Sequence, residues 1–144
     1  MKKLFPWLLI MIFATNLASC ANGSYASTPP KGPLPDILLV ERVPGTSKLP
    51  SLKKEYFSQT SIQKLYIDMW GLSPYPTDSV FSCGIDLGLV YNLSFLHDNT
   101  LVWKATAYAT GCGGVKLNTH DLRRDNSIFW QDLKDVILVP IWPN

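Results

Sequence analysis

The polar and apolar positions fall into segments of two distinct periods. Ile37 to Val43 is a short apolar run closed by Pro44-Gly45, and it predicts a strand. Leu52 to Phe57 predicts a weaker one. From Thr60 or Ser61 the period lengthens. Ile62, Leu65, Tyr66, Met69 and Trp70 fall on one face at three- and four-residue spacing, which predicts a helix ending at Gly71, with Pro74 and Pro76 barring its restart. Strict alternation then returns over Asp86–Leu96 and Leu101–Thr110. Leu87, Leu89, Tyr91, Leu93 and Phe95 share one face of the first, and Leu101, Trp103, Ala105, Ala107 and Ala109 share one face of the second. Val115–Leu117 predicts a further short strand. Asp125, Asn126 or Ser127 caps a second helix running to about Leu138, with Phe129, Trp130, Leu133, Val136 and Ile137 inward. The predicted fold is α+β, a small antiparallel sheet with two helices packed on one face.

The register of the hairpin follows from the same pattern. A two-residue turn at Asp98-Asn99 sets Leu93 opposite Lys104 and Tyr91 opposite Thr106, mixing polar and apolar on each face. A three-residue loop, Asp98–Thr100, pairs Phe95 with Trp103, Leu93 with Ala105 and Tyr91 with Ala107. A one-residue slip inverts every side chain, so the three-residue loop is expected. This hairpin places Cys83 just before its first strand and Cys112 just after its second, where a disulfide can bridge the open end. Two separate buried thiols are the alternative, and the absence of a Cys-x-x-Cys spacing argues against a redox-active pair.

The N-terminus follows another logic. Lys2 and Lys3 precede an apolar run, Leu4–Ala14, of eleven residues. A spanning helix needs about twenty, so this is a secretory leader rather than a membrane span. Leu17-Ala18-Ser19-Cys20 resembles the lipobox of bacterial lipoproteins. The resemblance implies cleavage before Cys20, a thioether-linked diacylglycerol on its sulfur and acylation of the new amino group. Two or three chains make a stable anchor where one does not. An ordinary leader cut after Ala26 in Ser24-Tyr25-Ala26 is the alternative reading. Residues 1–19 are thus read as leader, 20–36 as lipidated cysteine and Pro/Ser/Gly-rich spacer, and 37–144 as one globular domain. The expected location is a bacterial membrane, facing away from the cytoplasm. Ala21 after Cys20 resembles the pattern sorted to an outer membrane where the host has two.

Charge changes the picture less than the totals imply. The formal +2 includes Lys2 and Lys3, and from Cys20 onward eleven Lys and Arg face eleven Asp and Glu. A neutral domain has no electrostatic footprint for nucleic acid. His97 and His120 have no neighbour at metal-ligand spacing, and no cofactor motif occurs.

Further residues carry a resemblance of their own: Tyr66-x-x-x-Trp70-Gly71-Leu72, a proline loop, Cys83-x-x-Asp86-x-Gly88-x-x-Tyr91-x-Leu93-x-Phe95, Gly111-Cys112-x-x-Val115 and Phe129-Trp130-x-x-Leu133. The chain looks like a family of small secreted or lipid-anchored bacterial proteins. The likeness implies the disulfide and the helix–hairpin–helix order, and it supplies no catalytic residues.

Two function classes follow. The first is a non-catalytic interaction or inhibitor-like module at the cell envelope, with Tyr75 and Trp142 as candidate contacts. The second is a small hydrolase or anion- or small-ligand-binding domain built on Asp86, His120, Arg123 and Arg124. For Asp86 a structural ion pair with Arg123 or Arg124 is the plainer reading. Solvated loops and a helix cap account for the same cluster.

Overall fold

A computed structural model describes residues 27–76 and 82–142. Cys20 and the leader lie outside the described residues. Among those described, the chain forms β1 (Ile37–Val43), β2 (Leu52–Tyr56), α1 (Gln59–Trp70), β3 (Val90–His97), β4 (Thr100–Tyr108), β5 (Gly114–Lys116), β6 (Leu122–Arg123) and α2 (Ser127–Ile137). The strands make one antiparallel sheet in the order β2-β1-β3-β4-β5-β6, and the fold is α+β.

Strand parity decides where the core lies. Leu38 pairs with Phe95 and Phe95 with Trp103; Val40 pairs with Leu93 and Leu93 with Ala105. These side chains point to one face, and the helices cover it. The stripe Ile62, Leu65, Tyr66, Met69 and Trp70 is buried on α1, as its spacing predicts, and Tyr66 meets Phe95 edge-on at 5.1 Å. On α2, Phe129, Trp130, Leu133, Val136 and Ile137 are buried, and Trp130 meets Tyr91 at 6.1 Å. β4 contributes only the small Ala105 and Ala107 to the buried core, with Ala109 just past its end, which lets the helices approach closely.

The helix ends depart slightly from expectation. α1 begins one residue before Thr60, after Ser58, whose hydroxyl bonds to that of Ser61 and leaves the first turn without a side-chain cap. α2 is capped by Asn126, whose Oδ1 accepts from the Phe129 amide at 2.8 Å. Leu138 closes it in the left-handed conformation, φ 54°.

The hairpin keeps the expected register and resolves it differently. Phe95 pairs with Trp103, Leu93 with Ala105 and Tyr91 with Ala107. Beyond Phe95 the register shifts, so that Leu96 pairs with Leu101 and His97 with Thr100. The turn therefore has two central residues, Asp98 and Asn99, both at positive φ (48° and 62°). The odd residue is a bulge at Val102 within β4 rather than a third loop residue. Beyond the bulge the parity inverts, and Leu101 is half exposed instead of inward.

The first strand of the hairpin is also shorter than its alternation implied. Gly88 sits at φ 66° and breaks the ladder. Side chains replace the missing strand bonds: the Thr110 hydroxyl accepts from the Leu87 and Leu89 amides and donates to Asp86. Gly45, at φ 57° in the β1–β2 turn, packs against this stretch so closely that a Cβ would lie 2.1 Å from the Leu87 carbonyl oxygen. Cys83 and Cys112 are joined across the open end, with Cα atoms 4.6 Å apart.

Two segments outside the strands complete the fold. Ser73–Tyr75 lies along β6, with the Tyr75 amide donating to Leu122 and the Arg124 amide to Ser73. Residues 27–36, expected as free spacer, run along the domain: the Ser27 hydroxyl donates to the Trp70 carbonyl at 2.9 Å, Pro35 is buried, and the Asp36 amide donates to Leu96.

Candidate functional site

Three surfaces concentrate chemistry. The first is a polar cleft of about 300 Å³ at the disulfide, lined by Tyr75, Ser82, Cys83, Cys112, Arg124 and Asp125 among others. It gathers four of the residues singled out from the sequence. The Tyr75 hydroxyl donates to the Cys112 carbonyl at 3.1 Å, so its ring is a wall held in place by the staple.

The remaining predicted residues do not join it as a catalytic cluster. Asp86 accepts from the Gly88 amide and the Thr110 hydroxyl (2.8 and 3.0 Å), and no ion pair links it to Arg123 or Arg124. The expectation of an Asp86–arginine pair is corrected: Arg123 is buried on β6, bridges bidentately to Asp121 and donates to the Leu72 carbonyl at 3.0 Å. His120 is exposed and does not line the cleft; its amide donates to Asn118 in a local turn. Trp142 packs against Trp130 with ring centroids 4.9 Å apart and the planes tilted by 58°, and Trp130 donates to Asp125. Among the described residues no cluster of three or more His, Cys, Asp or Glu could hold a metal ion.

The second surface is the sheet face that the helices leave uncovered. Its central row is Glu41, Asn92, Thr106 and Lys116, adjacent strands pairing in that order, and the Thr106 hydroxyl donates to Asn92. Leu39, Ser94 and Lys104 form the next row. The third surface is a groove of about 520 Å³ between Pro30–Pro33 and the first residues of β4, with Tyr66 and Trp103 among its lining.

Two buried groups were absent from the sequence reading. Arg42 donates to the carbonyls of Pro50 and Pro140 and lies over the Tyr91 ring. Burial pushes the Tyr91 hydroxyl above its ordinary pKa, against the opposing pull of Arg42, and that hydroxyl donates to Ile141. Asp132 on α2 is 6% exposed and faces Lys64 and Asp68 of α1. Burial, reinforced by a hydrogen bond with Asp68, raises its pKa despite Lys64 at 2.6 Å. Asp68 moves the other way, because its bonds to Asp132 and Lys64 outweigh its own burial. One oxygen of Asp132, Oδ2, is buried with no donor beside it. Both groups had a sequence signal. Arg42 continues the inward parity of Leu38 and Val40, and Asp132 lies three residues after Phe129 and four before Val136.

Compared with known proteins, the chain matches no family model, and no curated protein and no solved structure shows significant similarity to it.

Proposed function

We propose that this chain is an exported, lipid-anchored protein whose domain acts as a non-catalytic interaction module, offering the uncovered face of its sheet to another protein. The uncovered face carries the reading. Its rows mix small hydroxyl and amide side chains with Leu39, and its charges, Glu41, Lys104 and Lys116, are of both signs. A face of mixed polar, apolar and charged side chains is of the kind that non-obligate interfaces use. The anchor is supported by the Leu17–Cys20 sequence alone. Export is further supported by the Cys83–Cys112 bond, since such bonds persist mainly outside the cytoplasm. Tyr75 and Trp142 are weaker contact candidates than the sheet, because each already serves an internal packing role.

Site-specific photocrosslinking in native membranes tests the reading. A photoreactive residue replacing Ser94 or Thr106 should give one discrete protein adduct, and the same residue at Gln131 on α2 should give none. Equal labelling from both faces, or none from the sheet, removes the support.

The disulfide cleft favours a second reading, binding of a small anion by Arg124. Calorimetric titration with inorganic phosphate, compared between the parent chain and Arg124→Gln, decides it. Hydrolysis with His120 as base has no such support, since a base must reach its proton within hydrogen-bond distance.

A further inference from the structure

The segment that leads in from Cys20 builds one wall of the apolar groove. Pro30–Pro33 face Thr100–Trp103 across it, with Tyr66 also lining it. Of its apolar lining, Leu101 is 50% exposed. The indole N–H of Trp103 donates inward to the Leu117 carbonyl at 3.1 Å, so the indole brings no unpaired polar atom to the groove. Charge at the rim gives no preference for an anionic headgroup, because Lys31 is balanced by Asp98 and by Asp36 beside His97.

Chain length fixes what lies near. Ser27 is bonded to the Trp70 carbonyl, and Trp70 packs on Trp103 at 4.9 Å, so the tether enters the described structure at the groove. Seven residue steps separate Cys20 from Ser27. Fully extended they reach about 25 Å, at roughly 3.3–3.6 Å per residue. A cysteine embedded through its acyl chains therefore keeps this end of the domain within about 25 Å of the bilayer, close enough to meet the interface, where Trp and Tyr side chains are favoured.

We infer that the groove accepts an acyl chain of a phospholipid from the leaflet that holds the anchor. The inference rests on the anchor proposed above. Tyr66, Leu101, Val102 and Trp103 supply the apolar lining, with Pro30 and Pro33 across from them.

The test uses the full chain, processed in its host, extracted from membranes and reconstituted into phosphatidylcholine vesicles. Half the vesicles carry brominated acyl chains, which quench nearby indoles. Brominated lipid should quench the intrinsic fluorescence, Trp103→Phe should lose most of that quenching, and Trp142→Phe should keep it. Leu101→Asp, at an already exposed position, should also lose it, with an unchanged far-ultraviolet dichroism spectrum showing that the fold is intact. Intact mass on the same sample separates the two premises. An acylated chain whose fluorescence is indifferent to bromine leaves the anchor standing and overturns the groove's occupant. A chain without acyl groups removes the short tether and overturns the inference at its first step.

Discussion

Single side chains here divide into those the chain's pattern exposed as candidates and those it hid. Arg123 was a candidate for chemistry and is a structural clamp: buried, paired to Asp121 and bonded to Leu72. Replacing it with Met orphans a carboxylate and a carbonyl together. Arg123→Met should destabilise the domain by about 2–4 kcal/mol, read as a lowered urea midpoint at unchanged slope. Asp132 makes a pH-dependent prediction. Its folded pKa lies above the ordinary 3.8, so the stability tied to its proton is full below that value and is lost as pH rises through the folded pKa. Asp68, shifted down, contributes stability that is lost only as pH falls below the same ordinary range. The two windows do not overlap. Asp132→Asn should therefore flatten the decline above pH 3.8 while leaving the acid limb in place, as thermal melts across pH 3 to 7 would record. A parent chain with no decline above that point rules out the upward shift of Asp132. Arg42 and Asp132 were both visible as parity or helical spacing, but a polar residue on an apolar face is ambiguous until its partners are known. Those partners, Pro140 and Lys64, are distant in sequence.

For the secondary elements, periodicity carried most of the information. The stripes on α1 and α2 and the ladder from Tyr91 to Phe95 are buried as their spacing required. The hairpin loop was not recoverable in the same way. The facing pattern demands one extra residue between Phe95 and Trp103 but does not say whether it sits in the turn or in a strand. Asp98 and Asn99 tolerate positive φ, so the tight turn forms and the surplus moves to Val102. Asp98→Asn with Asn99→Gly supplies the residues that this turn prefers and should stabilise the domain by up to about 1 kcal/mol. A lowered melting temperature for that pair would contradict the two-residue turn. β6 escaped the reading because two residues carry no period, and its partner Ser73–Tyr75 comes from a proline loop far back in the chain.

For the molecule as a whole, the fold class and the disulfide followed from patterning and cysteine placement, whereas the site did not. The polar cluster near His120 was assembled from sequence neighbours, and the chain instead brings Arg124 to Tyr75 and the disulfide. Residues 27–36 were equally opaque: prolines and small residues read as spacer, although Ser27 and Pro35 have fixed places against the domain. The staple spans 29 residues of sequence and closes the hairpin where Gly88 has already ended the ladder. Cys83→Ser with Cys112→Ser should cost about 3–4 kcal/mol in the chain-entropy account of crosslinks. Equilibrium unfolding of the double variant against the oxidised parent measures it, and equal midpoints would assign the bond no role in stability.

The two margins of the sheet are finished differently. β2 ends one side with Lys53, Lys54 and Glu55 exposed along a five-residue strand, so a second strand laid there would meet charge. β6 ends the other side after two residues and is already occupied by Ser73–Tyr75, between whose neighbours two prolines withhold amide donors. Both borders are thus blunted against pairing with the next molecule. Encounters between copies under crowding are accordingly biased away from edge-to-edge growth, which leaves the broad face as the surface to be met.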